Sequence, residues 1–305
     1  MTMCPIRCAR CLWLLSVMIA ALGVMTGLSS CVRDGREECE FPLRLRFAYT
    51  FNRENRDLLK EELHDIRMYL YDSATGCLLK SGSVDVDALP EDGTYEWRVP
   101  QGRHTLVCWA GVGGRYRIEN EGHINSAVMQ LGADNSLTVP PDREHLWHRL
   151  VTDVLVNGDE TPFYDVDMHK LSNDIDVHVV FADGMAHLPV DVSVNASNAL
   201  YSAYGNVMED SPYVRYVSYD TGERQLLTVL AIDRGDDSRL HVVVGDNVIY
   251  SGSLTSLIAS AGDVDFDLDD EFHISFMLRD SSGTETAVGV EVNGWHVMDY
   301  NVALK

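Results

Sequence analysis

Positive charge is scarce in this sequence. Only 24 Lys and Arg stand against 47 Asp and Glu, a formal net charge of −23 over 305 residues. A surface this acidic repels phosphates, so nucleic acid is excluded as a partner. It favours solubility at a crowded surface. Motifs of catalysis are missing as well. After residue 30 there is no HExxH, no GxSxG, no CxxC and no Cys/His spacing suited to zinc. Gly111-Val112-Gly113-Gly114 follows a strand-like segment, yet it has neither the helix start nor the lysine of a phosphate cradle. It reads as a flexible turn. No strong internal repeat supports a solenoid. These absences leave no support for an enzyme or a bound cofactor.

Long apolar runs are absent too, with one exception. Residues 11–28, CLWLLSVMIAALGVMTGL, carry no charge, and the ten residues before them carry Arg7 and Arg10 and no acid. A basic start followed by an apolar stretch is the layout of a secretory signal. Leu28-Ser29-Ser30-Cys31 then resembles the lipobox of bacterial lipoproteins, which a dedicated peptidase cuts before the cysteine. Acyl chains, palmitate among them, on the Cys31 thiol and the new N-terminus would anchor the protein. Each buried methylene contributes roughly 0.8 kcal/mol, so two or more chains hold stably where one is marginal. The competing readings are an uncleaved span, since the run approaches the ~20 residues required, and an ordinary signal with an incidental cysteine.

Cysteine is limited after the leader. Cys4, Cys8 and Cys11 leave with the signal and Cys31 takes lipid, so Cys39, Cys77 and Cys108 remain. Export permits oxidation. One disulfide among these three would leave one thiol, and the spacing does not choose the pair. Cys108, within an alternating apolar run, also reads as a buried thiol.

What is abundant is strand pattern. In FPLRLRFAYTF, apolar residues fall at Phe41, Leu43, Leu45, Phe47, Tyr49 and Phe51, the period of a half-buried strand. NRENRDLLKEEL lacks it and reads as a loop or one short helix. IRMYLYDSATGCLL reads as strand, turn and strand, with Asp72 to Gly76 as the turn. TYEWRVPQGRHTLVCWAGV repeats the design around Pro100-Gln101-Gly102. Residues 111–150 are less regular and read as a long connection, and LVTDVLVNG as a closing strand. IDVHVVF, PVDVSVNA, LLTVLAI, LHVVVGDNVIYSG, FHISFML and AVGVEVNGWHVMDYNVALK continue the series, with Gly245-Asp246-Asn247 and Asn293-Gly294 as hairpin turns. SLTSLIASAG is one short helical candidate. Many short strands of this spacing mean an all-β protein of sandwiches. The organisation expected is a lipoprotein signal peptide over 1–30, an N-terminal β-sandwich over 31–158 and a C-terminal β-sandwich over 159–305.

Three clusters invite a chemical reading. His145 and His148 stand three apart, but no third ligand follows, so they read as surface or domain-interface histidines. DVDFDLDDE places Asp263, Asp265, Asp267 and Asp269 at alternate positions. Calcium is conceivable there; a solvated strand or loop with Val264, Phe266 and Leu268 turned inward is simpler. Trp97, Trp109, Trp147 and Trp295 could form a sugar platform, although buried aromatics commonly fill sandwich cores.

Taken in order, several stretches resemble the FimB-type fimbrial anchor subunits, outer-membrane lipoproteins of type V (Bacteroidetes-type) pili. They are the lipobox with Cys39 shortly after it, FAYTFNRENRDLLKEELHDIRMYLYDSATGCLL, VPQGRHTLVCWAGV and the closing VEVNGWHVMDYNVAL. The match covers most of the chain and fits least over 111–150. The resemblance implies two tandem transthyretin-like β-sandwiches, with Trp109 and Trp295 in the core. It implies a subunit at the fimbrium base that attaches the fibre to the outer membrane through lipid on Cys31, is exposed at the cell surface, and in some members limits fibre length. Partners would be fimbrial stalk subunits, joined by β-strand addition. The last strand-like run ends near Lys305, so the chain is expected to receive or cap a strand rather than pass one on. Val32 after Cys31 does not suggest inner-membrane retention. Glu37, Glu38 and Glu40 read as a surface-export signal or a solvated tether. The alternative is a surface glycan- or protein-binding lipoprotein of the same architecture; exposed tryptophans on a concave face would favour it.

Overall fold

In β1 (Glu40–Ala48), Leu43, Leu45 and Phe47 are fully buried. Arg44 and Arg46 point outward, toward Glu96 and Asp165. The alternation read from the sequence therefore sets one face of a sheet. The structure, a computed structural model, describes residues 39–303 except 219, 221, 234, 263 and 281–284. The signal segment and Cys31 lie outside the described residues. Two units make up the chain, Met1–Glu40 and Phe41–Lys305. Both hydrophobic cores lie in the second.

The elements after β1 are α1 (Leu59–Glu62), β2 (Asp65–Asp72), β3 (Leu78–Asp85), β4 (Thr94–Pro100) and β5 (Gly102–Ala110). Then come β6 (Tyr116–Glu119), β7 (Val128–Leu131), β8 (Thr138–Val139), β9 (Trp147–Val156), β10 (Phe163–Asp167) and β11 (His169–Lys170). The later part holds β12 (Ser172–Phe181), β13 (Val190–Ala196), β14 (Leu200–Ser202), β15 (Val214–Val217), β16 (Arg224–Leu230) and β17 (Arg239–Val244). It closes with β18 (Asn247–Ser253), α2 (Leu254–Ala259), β19 (Glu271–Asp280), β20 (Glu285–Val292) and β21 (Trp295–Ala303). The protein is nearly all β, as the strand pattern indicated.

Two sheets enclose the first core. One has the order β10-β1-β4 and the other β11-β9-β5-β2-β3. Their shared interior takes Leu43, Leu45 and Phe47 from β1, Ile66, Met68 and Leu70 from β2, and Leu106 and Cys108 from β5. Alternate residues of the same strands, Tyr69, Tyr71, Val107 and Trp109, belong to a second core. The β5-β2 sheet is thus buried on both faces, and for that reason these strands lack a clean polar face. The Asp72–Gly76 turn forms as expected. Asp72 Oδ1 accepts from the Ala74 and Thr75 amides, and Gly76 takes φ +74°. The Pro100-Gln101-Gly102 reversal differs from a hairpin: β4 and β5 fall in different sheets, so the turn carries the chain from one layer to the other.

The stretch 111–150, read from sequence as a connection, contains β6, β7 and β8 and the start of β9. β6 and β7 join β14 in a small sheet. Met129 and Leu131 from β7 and Tyr201 from β14 share the second core with Tyr69 and Trp109. β8 runs parallel to β15, with Val139 opposite Tyr216. Beyond residue 158, β10 and β11 pair back onto β1 and β9.

Two five-stranded sheets, β16-β12-β19-β20-β21 and β18-β17-β13-β15-β8, bury the remaining alternating strands. Val192, Val194, Leu240 and Val242 on one face Ile175, Val177, Ile274 and Phe276 on the other, in a single core continuous with that above β5. β12 and β19 are parallel; the neighbouring pairs β12–β16 and β19–β20 are antiparallel. Asn293 and Gly294, at φ +50° and +78°, close the β20–β21 hairpin. Ser253 caps α2 by accepting the Ser256 amide at 3.1 Å.

Candidate functional site

A polar seam runs between the early and late strands of this unit. Lys170, on β11, has a side chain only 7% exposed and places Nζ 2.9 Å from Asp270. The Tyr49 hydroxyl donates to the same carboxylate at 3.4 Å, and burial raises its pKa. Arg53 pairs with the neighbouring Asp269, whose carbonyl accepts from the Asn173 amide group at 3.2 Å. Glu62, on α1, is raised in pKa by burial, partly offset by Lys170. Asp270 and Glu62 are carboxylates that need a cation nearby, and Lys170 is placed to serve both.

Deeper in the seam, His145 accepts or donates through Nδ1 to the Ser172 hydroxyl at 3.1 Å. Burial first, then the positive charge of Lys170, push its pKa down to about 3. Its 3.4 Å approach to Asp174 is therefore made by a neutral imidazole near pH 7. Asp174 is itself raised by burial and accepts the Thr228 hydroxyl at 2.7 Å. Arg115, buried, donates to the Glu144 and Thr228 carbonyls and lies 5.0 Å over the Tyr116 ring. His148 donates through Nε2–H to the Ala203 carbonyl, 3.0 Å away, beside the Trp109 ring. The two histidines read as a pair thus diverge: His145 binds the seam and His148 ties β9 to the β14 segment. Among the described residues, no group of three or more His, Cys, Asp or Glu is arranged to hold a metal.

Three shallow clefts border the seam, of about 420, 340 and 260 Å³. The largest is lined by Arg53, Asp269, Asn293 and Trp295. Trp97, Trp109 and Trp147 are buried, whereas Trp295 is 69% exposed. The core placement read for Trp295 is corrected: it opens the edge strand β21 and stands on the lining of this cleft, open to solvent. Trp109 lies in the core. The acidic run folds as a turn whose Val264 and Phe266 pack on the core; Asp263 is outside the described residues. Gly111, read as part of a flexible turn, is tightly fitted. It adopts φ +75°, and a Cβ there would strike the His145 carbonyl. Cys77 is exposed at the start of the second strand of the first hairpin, Cys108 is buried on β5, and both are free thiols; Cys39 is exposed. Burial raises the Cys108 pKa, so its thiol stays protonated. Of the seam residues, His145 and the Asp269–Asp270 end of the acidic run were marked in the sequence for other chemistry; Tyr49, Glu62, Lys170 and Asp174 are scattered along the chain, and no local motif announces them.

The fold can be compared with known proteins on this basis. A family model described as fimbrillin-A associated anchor proteins Mfa1 and Mfa2 matches residues 36–301. The chain belongs to this family. It is a fimbrial subunit of the anchor class, a structural class and not an enzymatic one, associated with other fimbrial subunits at the cell surface. Among solved structures, the fimbrial anchor protein Mfa2 from Porphyromonas gingivalis superposes with a TM-score of 0.69 at 19% identity, covering 86% of this chain and 100% of that one. A candidate polysaccharide-binding protein from Bacteroides thetaiotaomicron gives a TM-score of 0.71 at 17% identity, over 88% of this chain and 98% of that one. A candidate adhesin from Bacteroides ovatus gives 0.70 at 17%, over 84% and 94%. At these identities the likeness shows the fold alone. No curated protein matches the chain. The anchor family is the class that the order of motifs indicated.

Proposed function

We propose that this anchor-family subunit sits at the fimbrium base and is held in the outer membrane by lipid on Cys31. The observation that carries the reading is the family match beginning at residue 36, just after the lipobox Leu28–Cys31. A short acidic tether then separates the acyl chains from β1. The fibre attaches through stalk subunits joined by strand addition, and the same attachment limits fibre length. Lipid supplies the membrane affinity, since two or more acyl chains at Cys31 hold stably where one is marginal.

Replacing Cys31 by Ala in the native host tests this. Fimbrial protein is quantified on cells and in the medium. The expected outcome is fibres that still form but shift to the medium. Unchanged cell-bound fibres, with the variant itself lost from the membrane, would sink the anchor role. A second reading, a glycan-binding surface lipoprotein, is favoured by one observation: exposed Trp295 on the rim of the largest cleft.

A further inference from the structure

The largest cleft opens where three connections meet. They are the loop that carries Arg53, the residues around Ala261, Val264 and Asp269, and the β20–β21 hairpin with Asn293 and Trp295. Its walls are held by hydrogen bonds of their own. The Asp265 amide donates to Asp269 Oδ2 at 3.0 Å, and the Asp269 amide returns to the Asp265 carbonyl at 2.7 Å. The His273 amide donates to Asn293 Oδ1 at 2.9 Å, which fixes the Asn293 side chain. Arg53 ties the first two walls together by donating to both oxygens of Asp269. Ala261 and Val264 pack on the second core and leave an apolar strip in the cleft. A volume of about 420 Å³ lies within the range of small-molecule sites.

The acceptors in this cleft are largely occupied. Asp269 receives Arg53 twice and the Asp265 amide once. Asn293 Oδ1 receives the His273 amide. Among the described residues, the polar groups left over are donors: Nδ2 of Asn293 and Nη1 of Arg53. Beside them stands the Trp295 indole, exposed although a ring of this size normally contributes by burial. Free donors next to an open aromatic face suit a ligand with acceptor oxygens around its rim and a flat C–H face. A pyranose ring has both.

We infer that this cleft binds a neutral pyranose, stacked on Trp295 with its oxygens toward Asn293 Nδ2 and Arg53. The inference rests on the glycan reading above and narrows it to one class of sugar; it is independent of the lipid on Cys31. Charge sets the class. Arg53 is already neutralised by Asp269, and the turn beside it carries Asp265 and Asp267, in a chain of net charge −23. A uronate or sialate would meet this field and find no unpaired cation to offset its desolvation. A protonated amino sugar would set its ammonium against donors where it needs acceptors. Neutral hexoses and N-acetylhexosamines meet neither penalty. Because the walls are fixed by their own hydrogen bonds, little ordering is required when the sugar enters.

The test is saturation-transfer NMR, with tryptophan fluorescence beside it, on the full-length protein in a detergent that has no sugar headgroup. The probes are the methyl glycosides of glucose, galactose, mannose and N-acetylglucosamine, with methyl glucuronide and glucosamine as the charged comparison. The expected result is millimolar binding of at least one neutral glycoside, with transfer to its ring protons and a shift in fluorescence. Both charged sugars bind about tenfold more weakly or not at all. Trp295→Ala weakens the neutral glycoside by about tenfold, and Trp295→Phe, which keeps an aromatic face, recovers part of the loss. The exposed position lets both variants fold, which thermal unfolding checks. Tighter binding of the glucuronide or of glucosamine overturns the neutral class and leaves the glycan reading standing. Equal affinity in the wild type and Trp295→Ala overturns the site and likewise leaves that reading standing. No binding of any of these sugars overturns both. Release of fibres by Cys31→Ala decides the anchor reading separately in every case.

Discussion

At the scale of single residues, His148 is the clearest case of environment overriding intrinsic chemistry. Burial, only partly offset by its bond to the Ala203 carbonyl, holds its pKa down to about 4, with the nearby His169 and Arg149 acting in the same direction as burial. In the unfolded chain the imidazole titrates near 6.5. Below that pH the unfolded state binds the proton and the folded state refuses it. Stability from this residue is therefore present above about pH 6.5 and lost as pH falls toward 4. Between pH 7 and pH 5 the loss from His148 alone is about 1–2 kcal/mol. His145 works with the same sign toward about pH 3, while Glu62 and Asp174, raised by burial, work against it. The variant His148→Gln is expected to be less stable at pH 7 but to lose less on acidification. Urea unfolding at pH 7 and pH 5 measures both. An unchanged difference between the two pH values would mean that His148 is charged in the fold.

At the scale of elements, legibility followed length and exposure. The eleven-residue alternation from Phe41 to Phe51 was readable because one face of β1 meets solvent. So were the hairpins at Gly245 and Asn293-Gly294, whose positive φ favours those residues. β6, β7 and β8 were not, since runs of four, four and two residues are too short to show a period. Their partners β14 and β15 lie far along the chain, and no local pattern announces such pairing. The seam was invisible for the same reason: Tyr49, Lys170 and Asp270 meet only after the sheets assemble. Gly111 illustrates the difference between a turn seen and a turn understood. The sequence marked a glycine-rich bend; the structure shows its left-handed backbone pressed against the His145 carbonyl. Gly111→Ala is expected to cost about 3 kcal/mol, from strain at positive φ compounded by the clash. Gly122→Ala, where a Cβ meets open space, is the control and is expected to stay within about 0.5 kcal/mol of the wild type. Denaturant midpoints of the two variants check the contrast, and equal midpoints would refute the fitted-turn account.

At the scale of the whole molecule, the question is whether residues before and after 158 can stand apart. The second core runs without a break from Tyr69 and Trp109 to Phe276 and Val290. β7 pairs with β14, β8 with β15, β1 with β10 and β9 with β11, so strands from either side of residue 158 share four sheets. A chain cut after 158 also loses β10, the parallel partner of β1, and Lys170, the cation beside Asp270. The upper face of the β5-β2 sheet would then lose the cover supplied by Tyr201 and its neighbours. Exposing Tyr69, Tyr71 and Trp109 forfeits roughly 1.5–3 kcal/mol for each large apolar side chain. That sum is comparable with the whole net stability of an ordinary domain, about 5–15 kcal/mol. Fragment 31–158 is accordingly expected to be unfolded or aggregated when produced alone, and fragment 159–305, without β8 and the β7 cover, to melt far below the intact protein. The intact residues 31–305 are expected to unfold in one calorimetric transition, with calorimetric and van't Hoff enthalpies equal. Two resolved transitions, or a soluble 31–158 fragment with a cooperative melt, would show instead that the two sandwiches are thermodynamically separate. Coupling of this kind suits the proposed role, in which the subunit is loaded between a membrane and a fibre. Force entering at one end would then be borne by a single cooperative core, with no weaker joint between two sandwiches to yield first.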